Sequence, residues 1–432
     1  MFFIKKYLSK EKLLIIGQKS FNIGVFSLCS LLPLSIFFLL ISLIISLVSN
    51  KIKLIKDKWN LTLFISFGII FFNSLYLLFN YPEYDKSTIL VNFFRWTILF
   101  TLFSSAQYYL KNSSSRINFA KSFVLGSIPL LLSCIAQHIF EIYGPFRFLN
   151  GLIIWYNKPM IIPEQGISGL FSNQNYTGLW LSLLWPFCIY FIYINKDNKV
   201  KKILYFFLTL ITLYYIFMTS SRAAVIGILI SLPIISSIKI ISLLILFAIL
   251  FYFVFIYFPV NLSEQYIIYI PKNIKLILTK FSSLNLFNLN NFPRIIIWKN
   301  TIDFIIAKPI IGYGAGIFGI FYISLNEKFG AQHAHNLILQ IAFDYGIPLS
   351  LILTSFLLVL LYKGWVEIFK NNNKLNEFNH YFDKCLFAST LIALISQLYD
   401  VTYFDGRVAI IIWLMLAGIK STIEDKHNSS IK

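Results

Sequence analysis

Acidic residues are few in this sequence, 18 Asp and Glu against 37 Lys and Arg, and charged residues of either sign make up only 13% of it. Soluble domains carry about 25%, so a largely water-facing surface is excluded. Cysteine is equally sparse. Cys29, Cys134, Cys188 and Cys385 stand far apart, within or beside apolar runs, which suggests neither a metal cluster nor a disulfide framework and leaves them as small core residues. No internal repeat is evident. The basic residues 1–20 lead into an apolar run without a small-residue cleavage site, so the N-terminus is expected to stay attached.

What fills the 432 residues is hydrophobic, 58% of the total. Apolar runs of about 18 residues or more, enough to cross roughly 30 Å of hydrocarbon, recur from end to end. They are continuous rather than alternating, which favours helices over a barrel. The expected fold class is therefore an all-α polytopic membrane protein, with residues 1–432 as one membrane domain. The net charge of +19 does not call for nucleic acid, because most lysines sit in short loops between apolar runs, where membrane orientation accounts for them. Placing those basic loops in the cytoplasm gives about 12 spans and puts both termini inside. Residues 20–50 are read as two short helices turning near Leu32-Pro33, with one long helix as the alternative. Further spans are expected near 59–80, 89–110, 118–142, 174–195, 201–218, 223–237, 238–258, 346–365, 382–399 and 408–421. On the outer face lie 81–88, 143–173, 219–222 and a long loop, 259–334, where short interfacial helices are expected.

Four polar groupings collect on that outer face. Gly169-Leu-Phe-Ser-Asn-Gln-Asn-Tyr-Thr-Gly178 opens a span and reads either as a helix cap or as amides, Asn175 among them, that hold an anion or a sugar hydroxyl. Thr219-Ser-Ser221-Arg222 sets a guanidinium beside hydroxyls at the membrane surface. Such a fork either snorkels to lipid or donates paired hydrogen bonds to a pyrophosphate. Pro293-Arg294-Ile-Ile-Ile-Trp298 and the glycine-rich Gly312-Tyr-Gly314-Ala-Gly316 suit an amphipathic helix and a turn, or close approach of a ligand. His333-Ala-His335-Asn336 is either a polar cap or a general acid–base group; no third metal ligand of suitable type lies near it in the sequence. Arg95 falls inside an apparent span and needs a partner or a wet cavity, and Asp400, Asp405 and Arg407 sit at an outer helix junction.

The order and spacing of Arg294-x-x-x-Trp298, Pro309-Ile-Ile-Gly312-Tyr-Gly314-x-Gly316-x-Phe318 and His335-Asn336-x9-Gly346 resemble the O-antigen ligase and O-antigen polymerase superfamily, over roughly residues 165–420. The ligase pattern continues two residues past the glycine to Gly, Thr or Tyr; here that position is Leu349, a departure. The resemblance implies a GT-C-like membrane glycosyltransferase that inverts at the anomeric carbon and needs neither metal nor cofactor. It implies a polyprenyl-pyrophosphate-linked glycan as donor and lipid A-core or another glycan as acceptor, at the periplasmic face of the bacterial inner membrane. By position, Arg222 and Arg294 would hold the donor pyrophosphate and His335 would act on the acceptor hydroxyl. Asn175, Ser221, Gly314, His333 and Asn336 would line the substrate site.

Three readings follow. The leading one is ligation of a lipid-linked glycan to lipid A-core, with polymerisation of repeat units close behind. The second is transport of bicarbonate or another small solute, opposed by the lack of paired inverted repeats and of an intramembrane chain of ionisable groups beyond Arg95. The third, a scaffold for polysaccharide export, predicts that replacing His335 changes nothing.

Overall fold

A computed structural model describes residues 10–50, 57–81, 84–159, 166–236, 293–325, 331–370 and 377–431. Lys10–Ser27 (α1) and Leu32–Asn50 (α2) form the two helices expected early in the chain. The break falls at residues 28–31, so that Pro33 lies in the first turn of α2, where its missing N–H leaves no helix bond unmade. The pair closes tightly, because Gly24 has no side chain to hold Leu39 away and the Ser35 hydroxyl donates to its carbonyl at 2.7 Å.

Lys58–Asn80 (α3) and Lys86–Tyr109 (α4) begin on the side chains of Asp57 and Asp85, which accept the first free amides of their helices. The expected span 118–142 is present as Ser113–Gly126 (α5) and Ile128–Ile139 (α6), interrupted at Ser127 ahead of Pro129. Gln174–Ile194 (α7), Lys199–Met218 (α8) and Arg222–Ile235 (α9) follow. Beyond the next described stretch come Ile347–Trp365 (α13), Glu377–Ser396 (α14) and Gly406–Ile431 (α15). Eight helical segments among the described residues are long and apolar enough to cross a membrane. Three more helices stand at or near expected spans: α9 is short, α14 carries ionisable residues near one end, and α1, which starts ahead of the expected 20–50, carries them at its start and at Lys19. The span expected at 238–258 and residues 259–292 of the long loop lie outside the described residues. The chain is an all-α polytopic membrane protein.

The helices pack around α15 and α7, whose faces are buried nearly all round, as befits helices that are apolar on every side. Trp413 of α15 meets Phe103 of α4 edge-on at 6.0 Å, and Phe103 meets Phe356 of α13 at 5.5 Å. By contrast α8, α2 and α3 leave much apolar surface outward, the pattern of a lipid-facing rim.

One feature was not expected from the sequence, a short hairpin, whereas the short helices expected in the long loop are present in its described part. Phe146–Phe148 (β1) pairs antiparallel with Ile153–Trp155 (β2), a hairpin fastened to the α1–α2 turn by the Trp155 indole donating to the Ser30 carbonyl at 2.9 Å. Pro293–Ala307 (α10) and Phe318–Leu325 (α11) form a satellite core with Leu337–Tyr345 (α12), in which Tyr313 stacks on Phe343 with ring centres 4.9 Å apart.

Candidate active site

The sequence pattern His335-Asn336-x9-Gly346 is, in space, one capped helix. Asn336 is the N-cap of α12, accepting from the amides of Ile338 and Leu339 at 3.0 and 3.2 Å, and Gly346 ends it. Gly346 adopts φ 87°, ψ 165°, a region essentially open only to glycine. A Cβ there would run into the carbonyl of Ile310, while the next amide, that of Ile347, donates to the Pro309 carbonyl at 2.7 Å. Gly346→Ala is therefore expected to cost at least about 1–3 kcal/mol and to lower the melting temperature of the purified protein; an unchanged melt would show that this contact is not formed.

Helix α12 delivers His335 to the turn between α14 and α15. The Leu337 amide donates to the Gln397 carbonyl at 2.8 Å and the Asn336 amide group to the Leu398 carbonyl at 3.2 Å. Two residues on is Asp400, nearly fully buried. Its Oδ1 accepts from His335 Nδ1 at 3.2 Å and from the Val401 amide at 2.9 Å, and its Oδ2 from Asn175 Nδ2 at 2.9 Å. With Nδ1–H given to Asp400, Nε2 of His335 keeps its lone pair, the arrangement a general base requires. His335 also has φ +50°, unusual for a residue with a side chain and typical of positions held in place by their surroundings.

His333 completes the group. Its Nε2 is 3.8 Å from Asp400 Oδ1, its ring centre is 4.1 Å from that of His335, and its Nδ1 accepts from the His335 amide at 3.2 Å. Burial, reinforced by His335 and Arg294 against the pull of Asp400, pushes its pKa down to about 4, so it is neutral at ordinary pH. Burial pushes the Asp400 carboxyl up, but the hydrogen bond and charge of His335, with His333 and Arg294, outweigh it and hold the group below the usual carboxylate range. Asp400 therefore remains an anion beside His335.

Among the residues singled out from the sequence, Asn175, His333, His335 and Asn336 converge here, and Arg294, exposed at the start of α10, lies close enough for its charge to act on both Asp400 and His333. Ser221 and Arg222 open α9 beside Gly178, where a Cβ would meet the Ser221 side chain. Gly178 is three residues past Asn175 on α7, hence on the same face about one turn away. The Arg222 guanidinium is exposed and has no ion-pair partner among the described residues. Gly314 is buried at φ +104°, its amide donates to the Asp344 carbonyl at 2.9 Å, and a Cβ would press on Leu77.

Asp400 was noted in the sequence only as a junction residue. The expectation that no third ligand lies near the two histidines fails in space, since His333, His335 and Asp400 offer ligand atoms within 4.8 Å of one another and so form a group able to hold a metal ion. Arg95 likewise finds its surroundings here: its guanidinium lies 5.6 and 5.3 Å from the ring centres of Tyr403 and Phe404, with Nη1 donating to Asn92 at 3.0 Å. Phe404 in turn stands 5.6 Å from His333. Phe404 and Tyr176 also line a cavity of about 330 Å³ roofed by the β1–β2 hairpin and floored by the Asp405–Arg407 pair, which is closed at 2.7 Å.

Residues 207–354 match a family model described as O-antigen ligase. The match runs from α8 into α13 and takes in Arg222, Arg294, His333 and His335, while Asn175 and Asp400 lie outside it. No curated protein matches the chain. By its matched region and the site that region helps to build, the chain is similar to the O-antigen ligases and O-antigen polymerases of the membrane.

Proposed function

We propose that this protein transfers a glycan from a polyprenyl-pyrophosphate donor to a hydroxyl of lipid A-core, at the periplasmic face of the bacterial inner membrane. The observation that carries this reading is the hydrogen bond of His335 Nδ1 to the buried Asp400, with Nε2 of the half-buried His335 left to accept a proton and the charge of Arg294 acting on the same carboxylate. The acceptor hydroxyl gives its proton to Nε2 as its oxygen attacks the anomeric carbon. The bond from that carbon to the pyrophosphate oxygen breaks, and its electron pair leaves with the pyrophosphate. A single displacement of this kind inverts the anomeric centre. Arg294, with Arg222 at the start of α9, balances the charge that grows on the leaving group. The donor's prenyl chain lies among the membrane helices, and the 330 Å³ cavity beside Phe404 and Tyr176 offers aromatic and charged walls to a sugar.

Metal-independent chemistry is supported by two features. His335 Nδ1 and Asp400 Oδ1 are already joined, and the two arginines Arg222 and Arg294 offer positive charge that needs no metal.

The test is complementation of a ligase-deficient strain holding a compatible donor, read as lipopolysaccharide banding. Long-chain bands restored by wild type, and lost with His335→Ala or Arg294→Ala at matched membrane levels, support ligation. Cores capped with one unit in a knockout of this protein in its own host would assign it to polymerisation instead. Uptake of labelled bicarbonate into proteoliposomes above empty vesicles would overturn both.

A further inference from the structure

A second cavity lies at the opposite end of the bundle, among the basic loops. It measures about 1050 Å³ and opens between α3, α4, α13 and α15. Four lysines line it, Lys58, Lys111, Lys363 and Lys420, against the carboxylates Asp57 and Glu424, so the lining charge is 4 − 2 = +2. Both carboxylates are engaged by one lysine: Lys420 Nζ is 2.7 Å from Asp57 and 2.7 Å from Glu424. Lys58 and Lys111 have no ion-pair partner among the described residues, and Lys363 rests over the Trp59 ring at 5.3 Å. With both carboxylates held by Lys420, three ammonium groups around one opening have no ion pair of their own among the described residues and form a seat for an anion.

The rest of the wall is apolar. Leu351, Ile352, Phe356 and Val359 of α13 continue it away from the lysines, with Leu351 and Val359 exposed outward. From Leu351 to Lys363 the helix rises about 18 Å, close to the roughly 15 Å depth of one leaflet of hydrocarbon. A soluble anion would leave this apolar wall unused, and a zwitterionic headgroup would bring its own cation against the lysines.

We propose that this cavity binds an anionic glycerophospholipid, its phosphate held among Lys58, Lys111 and Lys363 and one acyl chain laid along Leu351, Phe356 and Val359. Basic pockets between membrane helices on the cytoplasmic side are suited to anionic headgroups on electrostatic grounds alone. The site stands apart from the Asp400 cluster and does not depend on the reaction proposed there.

The test uses the full chain, purified in a neutral detergent and followed by native mass spectrometry and thermal melting, with phosphatidylglycerol, phosphatidylcholine or inorganic phosphate added. One retained phosphatidylglycerol is expected, with a raised melting temperature and binding at least about tenfold tighter than that of phosphatidylcholine. Lys58→Gln, Lys111→Gln and Lys363→Gln together should abolish the preference. Val359→Trp, which fills the acyl path and leaves every lysine in place, should weaken lipid retention by itself and decides the matter if the triple variant folds poorly. Equal binding of both lipids, the same shift from inorganic phosphate, or undiminished retention by Val359→Trp would overturn the proposal.

Discussion

Asp400→Asn is expected to lower glycan transfer about 10²–10⁴-fold, the range a positioned acid–base group supplies, at unchanged protein level. The carboxylate is nearly fully buried and accepts hydrogen bonds from His335, Asn175 and Val401. An asparagine keeps the shape but can present its amide N–H to His335 Nδ1, which favours the tautomer with Nε2 protonated and removes the base. His335→Gln should fall equally far. The double variant should be little worse than either, because the two residues act as one unit. Initial rates with a defined donor and acceptor, across a pH series, provide the measurement. A loss of less than about threefold would mean that the proton goes elsewhere, and a double variant near the product of the singles would mean that the residues act separately.

Arg294→Gln is expected to reduce turnover about 10²–10³-fold, the usual effect of removing one group that stabilises developing negative charge. Arg222→Gln should act in the same direction and more weakly, since Arg294 is the arginine whose charge reaches Asp400 and His333. Both losses should fall on kcat more than on KM, because the pyrophosphate gains charge as it departs. Lysine at either position should restore only part of the rate, as it keeps the charge but not the paired donors. Full recovery with lysine would reduce the role to simple attraction, and an effect confined to KM would make these residues donor-binding groups without a share in the bond-breaking step.

Much of the fold was legible because hydrocarbon imposes strict terms on a chain. A span must be helical, about 20 residues long and nearly free of charge, so α3, α4, α7, α8 and α13 start and end close to the expected positions. The α1–α2 break was legible in Pro33, and the interruption at Ser127 was missed although Pro129 marks it. The β1–β2 hairpin was not legible: three residues a side are too few for a strand pattern, and the hairpin is held by Trp155 reaching to Ser30, 125 positions away.

By itself, the sequence determined the membrane class, the helical content, the separation of basic from polar loops, and the local frame of the site, for Asn336 and Gly346 are start and stop signals with nine residues between them that act through backbone geometry. Only the tertiary structure decided which groups His335 meets. Asp400 is 65 positions from His335 and 225 from Asn175, and no partner for it stands nearby in the sequence, unlike Asp405, which pairs with Arg407 two residues on. The packing of α14 against both α7 and α15, with α12 joined to the α14–α15 turn, brings one carboxylate to the histidines and gives the other to an arginine. A carboxylate's role follows from burial and neighbours, and both are properties of the packed bundle.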